Sequence, residues 1–338
     1  MTPRDTQLGK ERPVVRIAIT GGTGFVGGHL AASLSANGHE IVVVTRGVDR
    51  RPLAQKVLAL PGVTARLANT QDESALAEAF EGCAAVAHCA GINREIGSQT
   101  YEVVHVQGTA SVVQAAEKAN VGRIALLSFL RARPACGSPY HESKWAAEEL
   151  VRSSSCEWTV LKPGMMFGSG DHMLDHLSHA LCTFPIFVGM GSRRVRPLAV
   201  DDVVKVLVAA LVDGRLPNQT LGLVGPSEMS FDDAARLVAS VIGKKRPFVR
   251  APLVFHRLLA RAAESVMTVP LISSAQVRIL EEEVIEAVGA PDQLPADLMP
   301  VTPFDETAIR AGLPAIGPFG LADLRWFSAR QSHPRKQG

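Results

Sequence analysis

Two stretches of the 338-residue chain place reactive residue types at useful spacings. In "SPYHESKWAAEEL", Tyr140 and Lys144 stand four apart in a helical pattern, hence on one face. A phenol titrates near about 10, so it needs a neighbouring cation before it exchanges protons at neutral pH. Lys144 is that cation, and the pair suits a general acid or base at a carbinol or carbonyl. The second stretch, "TGGTGFVGGH" (20–29), puts five glycines at the mouth of a helix. Glycine costs a helix interior about 1 kcal/mol against alanine. The loop therefore needs backbone room.

Gly21, Gly24 and Gly27 take a G-x-x-G-x-x-G spacing after an apolar strand and before a helix. One glycine permits the tight turn, the next admits a pyrophosphate to the backbone N–H groups, and the last lets the helix pack on the sheet. Thr23, Phe25 and Val26 complete the loop. The expected ligand is a dinucleotide, whose nicotinamide would exchange hydride while Tyr140 handles the proton and Lys144 also holds the ribose. Arg46 ends the second strand where an NAD-binding chain usually has Asp or Glu. With Arg50 and Arg51 behind it, Arg46 suits a 2′-phosphate, so NADP is expected ahead of NAD. The alternative is a solvated basic loop.

Apolar runs alternate with helical patterns through the first half. Strands are expected at 14–19, 41–46, 63–68, 84–90, 123–128 and 156–164, and helices at 25–38, 72–82, 100–120 and 140–154. The fold class expected is α/β, a doubly wound parallel sheet (Rossmann) with a smaller C-terminal α/β substrate lobe. Residues 1–12 read as a flexible tail and 13–165 as the nucleotide domain, to which about 195–225 returns. Residues 166–194 and 226–330 form the substrate lobe, and 331–338 a frayed tail. Further helices are expected at 194–214 and 230–244, the latter capped by Ser230.

A net charge of +2 gives no electrostatic case for nucleic acid. No apolar run reaches the roughly 18 residues of a membrane span. Five cysteines, without a Cys-x-x-Cys pair, point to reduced thiols and a cytoplasmic setting.

The glycine loop, "HCAG" (88–91), "YHESK" (140–144), "LKPGMMFG" (161–168) and "PLAVDDV" (197–203) together resemble the extended, atypical branch of the short-chain dehydrogenase/reductase superfamily, which is NAD-dependent epimerase/dehydratase-like. Within it, Arg46, "ISSAQVRILEE" and "VTPFDETAIRAGL" resemble the group holding the NADPH-binding accessory subunit of respiratory complex I and its bacterial relatives. The resemblance implies that Cys89, Ala90 and Gly91 run along the cofactor and that Pro163 and Gly164 lie beside the nicotinamide. It implies too that Asp201 and Asp202 start a helix closing the substrate side. Two residues depart from the pattern. Ser128 is the one hydroxyl at the end of the fifth strand, followed by Phe129 and Leu130, so it either polarises the substrate or satisfies buried backbone. His105 replaces a family Asn, as a backbone hydrogen-bonding group or a core histidine.

His172, His176 and His179, with Asp171 and Asp175, mimic a metal pattern without the glutamate of H-E-x-x-H, and no metal is expected. Arg193, Arg194 and Arg196 read as a solvated hairpin, with a diphosphate contact as the alternative. Residues 251–270 are amphipathic, with Val254, Phe255, Leu258, Leu259, Ala262, Ala263, Val266 and Met267 on one face. This helix is expected to cap the substrate lobe; a membrane surface or a protein complex is the alternative. Expected partners are a small-molecule substrate and, by family habit, a second copy of the chain through 101–120 and 140–153. Two functions stand: an oxidoreductase or epimerase using Tyr140 and Lys144, or a protein that holds NADPH without turnover at a respiratory or quinone-linked complex.

Overall fold

The apolar runs of the first half assemble into one sheet in the computed structural model, which describes residues 13–47, 52–266, 274–315, 317 and 318. The stretches 1–12 and 331–338, with Arg50, Arg51 and Met267, lie outside the described residues. In chain order the first units are β1 (Arg16–Thr20), α1 (Phe25–Ala36), β2 (Glu40–Thr45), α2 (Pro52–Leu58), β3 (Val63–Leu67), α3 (Glu73–Phe80) and β4 (Ala85–His88). A π-helical turn (Glu102–Gln107) opens α4 (Gly108–Lys118), followed by β5 (Arg123–Leu127), α5 (Pro139–Arg152) and β6 (Glu157–Pro163). The π turn shifts the register inside the single helix that periodicity predicts over 100–120.

The second half begins with β7 (Met166–Phe167), α6 (His172–Thr183), β8 (Phe187–Gly189), β9 (Arg194–Val195), β10 (Leu198–Ala199), α7 (Val200–Leu211) and β11 (Gln219–Leu223). It continues through β12 (Met229–Ser230), α8 (Phe231–Val241), β13 (Phe248–Arg250), α9 (Leu253–Val266), α10 (Ser274–Glu281) and α11 (Glu306–Gly312). The helix expected over 194–214 starts only at Val200, because β9 and β10 take the residues before it. Ser230 does cap α8, its hydroxyl accepting from Asp233 N at 3.0 Å.

Seven strands form the central sheet in the order β11-β6-β5-β4-β1-β2-β3, every pair parallel. Strand order reverses between β1 and β4, the switch point at whose carboxyl ends doubly wound sheets bind their ligands. One face is buried under α1 and α7 through Leu30, Leu34, Val203 and Leu207, and the other under α3, α4 and α5 through Phe80, Val112 and Val151. The helix that starts at Asp201–Asp202 thus packs on α1. Asp201 faces His29 at 3.6 Å and Asp202 accepts from Thr302 N. The smaller lobe is an apolar cluster of α6, α8 and α11 around Leu174, Val238 and Ile309.

Candidate active site

β1 delivers Thr20 to the switch point, and the chain turns there at Gly21, whose φ is +72°. A Cβ on Gly21 would lie 2.7 Å from Ala90 N, so the glycine loop sits directly against the loop after β4. A Cβ on Gly27 would lie 2.4 Å from Gly21 O, which only glycine permits as α1 closes on the turn. Helices α3, α6, α8 and α11 are capped by Asp72, Asp171, Ser230 and Asp305, whereas α1 has no side-chain cap and no acid in its first turn. The first N–H groups of α1, on Phe25, Val26 and Gly27, have no intrahelical acceptor. An uncapped positive helix end beside a backbone cradle fits a pyrophosphate. Thr23 and Val26 are buried at this turn. Arg46 is exposed past the carboxyl end of β2.

A buried run of hydrogen bonds leads away from the cradle. Thr20 and His88 are register partners on β1 and β4, and Thr20 Oγ1 lies 2.6 Å from His88 Nδ1. His88 Nε2 lies 3.0 Å from Thr109 Oγ1, which itself donates to His105 O one turn back in the helix. Thr109 has spent its proton, so His88 donates from Nε2 and accepts from Thr20 at Nδ1. Ile92 N donates to His105 Nε2 at 3.1 Å, which leaves Nδ1 to donate to Ser143 Oγ at 2.9 Å. Ser143 then donates to Tyr140 O. Both imidazoles are therefore neutral. Burial, and secondly the Lys144 charge, push His88 down to about 3 and His105 to about 2.

α5 carries Tyr140 and Lys144, both buried, on the face turned to the sheet. Lys144 Nζ donates to Leu127 O at 3.2 Å and lies 3.0 Å from where a Gly91 Cβ would stand. Burial lowers Lys144 to about 8, partly offset by Cys89 and Glu148, and raises the Cys89 thiol to about 12. Aromatic neighbours surround Tyr140: Phe129 at 5.4 Å between ring centroids, Tyr101 at 5.5 Å, His141 at 5.7 Å and His105 at 5.8 Å. Desolvation, and secondly Tyr101, hold its phenol well above the usual range. Pro163 and Gly164 stand at the carboxyl end of β6, hydrogen-bonded to Leu130 and Leu223.

Ser128 does not join this cluster. Its hydroxyl donates to Glu148, which lies eight residues, or about 12 Å of helix rise, beyond Tyr140. Glu148 is fully buried and also binds Lys162 at 3.1 Å and Arg152 at 2.8 Å. Ser128 therefore spends its proton on a buried carboxylate whose charge Lys162 and Arg152 compensate, rather than facing the place beside the phenol where a substrate oxygen was expected. Phe129 holds the place beside the phenol instead. Glu148 continues the four-residue spacing of Tyr140 and Lys144, so its position was readable. Its partner Lys162, on β6, was not.

Other expected features take structural partners. Asp171 caps α6 and His179 bonds Gly317 O, while the His172 and His176 rings lie 5.7 Å apart. No group of three metal-binding side chains forms among the described residues. Arg194 pairs with Glu228 and Glu283, each at 3.1 Å. On α9 the expected orientation is reversed. His256 faces inward and bonds Gly189 O at 3.0 Å, whereas Val254, Phe255, Leu258 and Leu259 face outward, 42–63% exposed. The apolar face of α9 thus does not cap the lobe, because the helix turns His256, bonded to Gly189 O of β8, and Ala260 inward.

An NAD(P)H-binding family profile matches residues 21–175, the span from the glycine loop to the start of α6. The fold and cradle therefore define a dinucleotide-binding protein of the Rossmann class. A ceramide reductase of Caulobacter vibrioides is 30% identical over 242 residues, 70% of this chain and 73% of its own. The chain belongs to the extended short-chain dehydrogenase/reductase family. It spans only 27% of an uncharacterized protein of Mycobacterium tuberculosis that it matches at 26% identity over 78% of its own length. Among solved structures, the NADPH-dependent quinone oxidoreductase QOR2 of Escherichia coli superposes with a TM-score of 0.67 at 20% identity, covering 87% of this chain and 99% of that one. The UDP-glucuronic acid 4-epimerase of Bacillus cereus gives 0.65 at 16%, covering 88% and 97%.

The partner expectation is corrected by other relatives. It put a small molecule and a second copy of the chain ahead of any protein complex. A mitochondrial subunit of Arabidopsis thaliana NADH dehydrogenase is 26% identical, covering 72% of this chain and 61% of its own. Homologous subunits of Neurospora crassa and Mus musculus carry corresponding names. Chains of this kind are thus named as parts of multi-protein assemblies. No described helix is long and apolar enough to cross a membrane.

The neutral histidines make the fold acid-sensitive. The unfolded chain binds a proton at His88 below pH 6.5, whereas the folded chain does so only near about 3. Stability from this residue is complete above 6.5 and is lost as pH falls toward 3, by about 2 kcal/mol between pH 6.5 and 5. Urea unfolding midpoints at pH 7 and pH 5 should differ more for the native chain than for His88→Gln.

Proposed function

We propose that this chain is an NADP(H)-dependent oxidoreductase or epimerase acting at an alcohol or carbonyl, with Tyr140 as acid and base and Lys144 as its activating cation. One observation carries the reading: Gly21 touches the Ala90 backbone, Gly91 lies against Lys144, and Lys144 shares a helix face with Tyr140. A continuous line thus runs from the pyrophosphate cradle to the phenol. Bound nicotinamide supplies or accepts the hydride at the substrate carbon. Tyr140 gives its phenolic proton to the oxygen in reduction and takes it back in oxidation. Lys144, held in place by Leu127 O, stabilises the phenolate left behind and binds the ribose. Cys89, Ala90, Pro163 and Gly164 form the walls along the nicotinamide half. Arg46, beyond β2, selects the 2′-phosphate.

A second reading, NADPH held without turnover, draws support from Phe129 beside the phenol and from the relatives named as respiratory subunits. Tyr140→Phe separates the two. Under the first reading it lowers kcat by about 10²–10⁴-fold with nucleotide affinity unchanged. Under the second, nothing measurable changes. Arg46→Ala should weaken NADPH about tenfold or more in a binding titration and leave NADH nearly untouched, since a charge-assisted hydrogen bond contributes about 1.5–3 kcal/mol. The rate of carbonyl reduction should hold at neutral pH and fall above about 8, as Lys144 loses its proton and with it the stabilised phenolate.

A further inference from the structure

The segment after α10 lies across the catalytic tyrosine. Val284 is fully buried and packs in one apolar cluster with Phe129, Leu130 and Tyr140, flanked by Tyr101, Val224, Ile279 and Ala287. Its Cγ1 stands 3.4 Å from where a Cβ on Gly164 would be, at the residue expected beside the nicotinamide. Tyr140 keeps only 7% of its surface. β5, β6 and α5 belong to the packed sheet layer, and the 282–288 segment covers the phenol from outside it.

Several features make that strap the movable wall. Past its start on α10, its backbone makes three long hydrogen bonds: Val284 N to Arg194 O at 3.3 Å, Arg196 N to Val284 O at 3.4 Å and Val288 N to Leu130 O at 3.3 Å, with the exposed Arg194 also holding the Glu283 carboxylate. Glu283, directly before Val284, sits at φ +54°, a strained conformation for a residue with a Cβ. Glu282 is the anchor. Its carboxylate meets Arg133 at 2.8 Å, Arg278 at 3.2 Å, Arg131 at 3.8 Å and, also at 3.8 Å, His141, the residue next to Tyr140. The three arginines thus tie the strap by charge to the loop after β5 and to α10, with the ring of His141, which burial keeps neutral, beside them on α5, while the group pressed on the phenol is a plain aliphatic side chain.

A ligand that reaches Tyr140 must take the place of Val284 and meet the same walls. Those walls are Phe129, Leu130 and Ile279, and the hydroxyl at the end of β5 is spent on Glu148. We infer that the substrate is a carbonyl compound with an apolar chain or ring next to the reacting carbon, admitted when the 282–288 strap lifts and Val284 withdraws. Glu282 is the latch on that strap. The inference rests on Tyr140 being the acid, but its test does not need turnover.

The chain has only two tyrosines, Tyr101 and Tyr140, so nitration by tetranitromethane can be read residue by residue in peptide masses. Glu282→Gln should speed nitration of Tyr140 by about fivefold or more relative to Tyr101, because reaction follows the open population. Undecan-2-one should cancel that gain, and dihydroxyacetone at equal concentration should not. In the native chain, the Val284 and Val288 amides should exchange hydrogen well before those of Leu126 and Leu161. Unchanged nitration in Glu282→Gln, equal protection by both ketones, or amide exchange as slow as in β5 would each overturn the inference. Protection by undecan-2-one without NADPH oxidation would uphold the apolar ligand and sink the catalytic reading. Turnover of dihydroxyacetone but not undecan-2-one would do the reverse.

Discussion

One buried hydrogen bond, from the Thr20 hydroxyl to His88 Nδ1, joins the two parallel strands between which the strand order reverses. Everything that positions the site hangs from it. On one side Thr20 leads into the Gly21 turn, and on the other His88 passes its N–H to Thr109 and so to the π turn that carries His105. His105 in turn fixes the loop after β4 through Ile92 and α5 through Ser143. Each group has one assignable donor direction, and reversing any of them would strand a buried polar atom at a cost of about 1–3 kcal/mol. Such a network gives the cradle and the phenol a fixed relative position without placing a net charge between them.

The single charge at that junction is Lys144. Its ammonium is kept from water, which lowers its affinity for a proton, and it also disfavours protonation of both neighbouring imidazoles. The same burial raises the phenol. Burial thus favours the neutral form of both the phenol and the amine. Deeper in α5, Glu148 is compensated by Lys162 and Arg152 and draws in Ser128. Polar groups on this helix are thus compensated in the core, while Phe129, Leu130 and Val284 pack an apolar cluster around Tyr140.

The alternation of apolar runs and helical patterns made the doubly wound sheet legible, because strands covered on both faces must be apolar throughout. The glycine spacing and the Tyr140–Lys144 interval were legible for a related reason: each is a local geometric demand, met within ten residues. Periodicity failed where a neighbour set the outcome. It gave the apolar face of α9 but not its direction, since His256 turned inward to Gly189 O. The family resemblance left Ser128 between a substrate oxygen and buried backbone, and its hydroxyl goes instead to a glutamate twenty residues later.

By itself the sequence determined that a nucleotide cradle forms after the first strand and that Tyr140 and Lys144 share a helix face. Both follow from backbone sterics and the 3.6-residue repeat. Only the tertiary structure decided what surrounds the phenol. Glu282 meets Arg133 across 149 positions and Val284 reaches Tyr140 across 144, and no local pattern encodes such pairings. They arise because the chain must cover the apolar carboxyl end of β5, and the segment that does so is chosen by packing and charge in three dimensions.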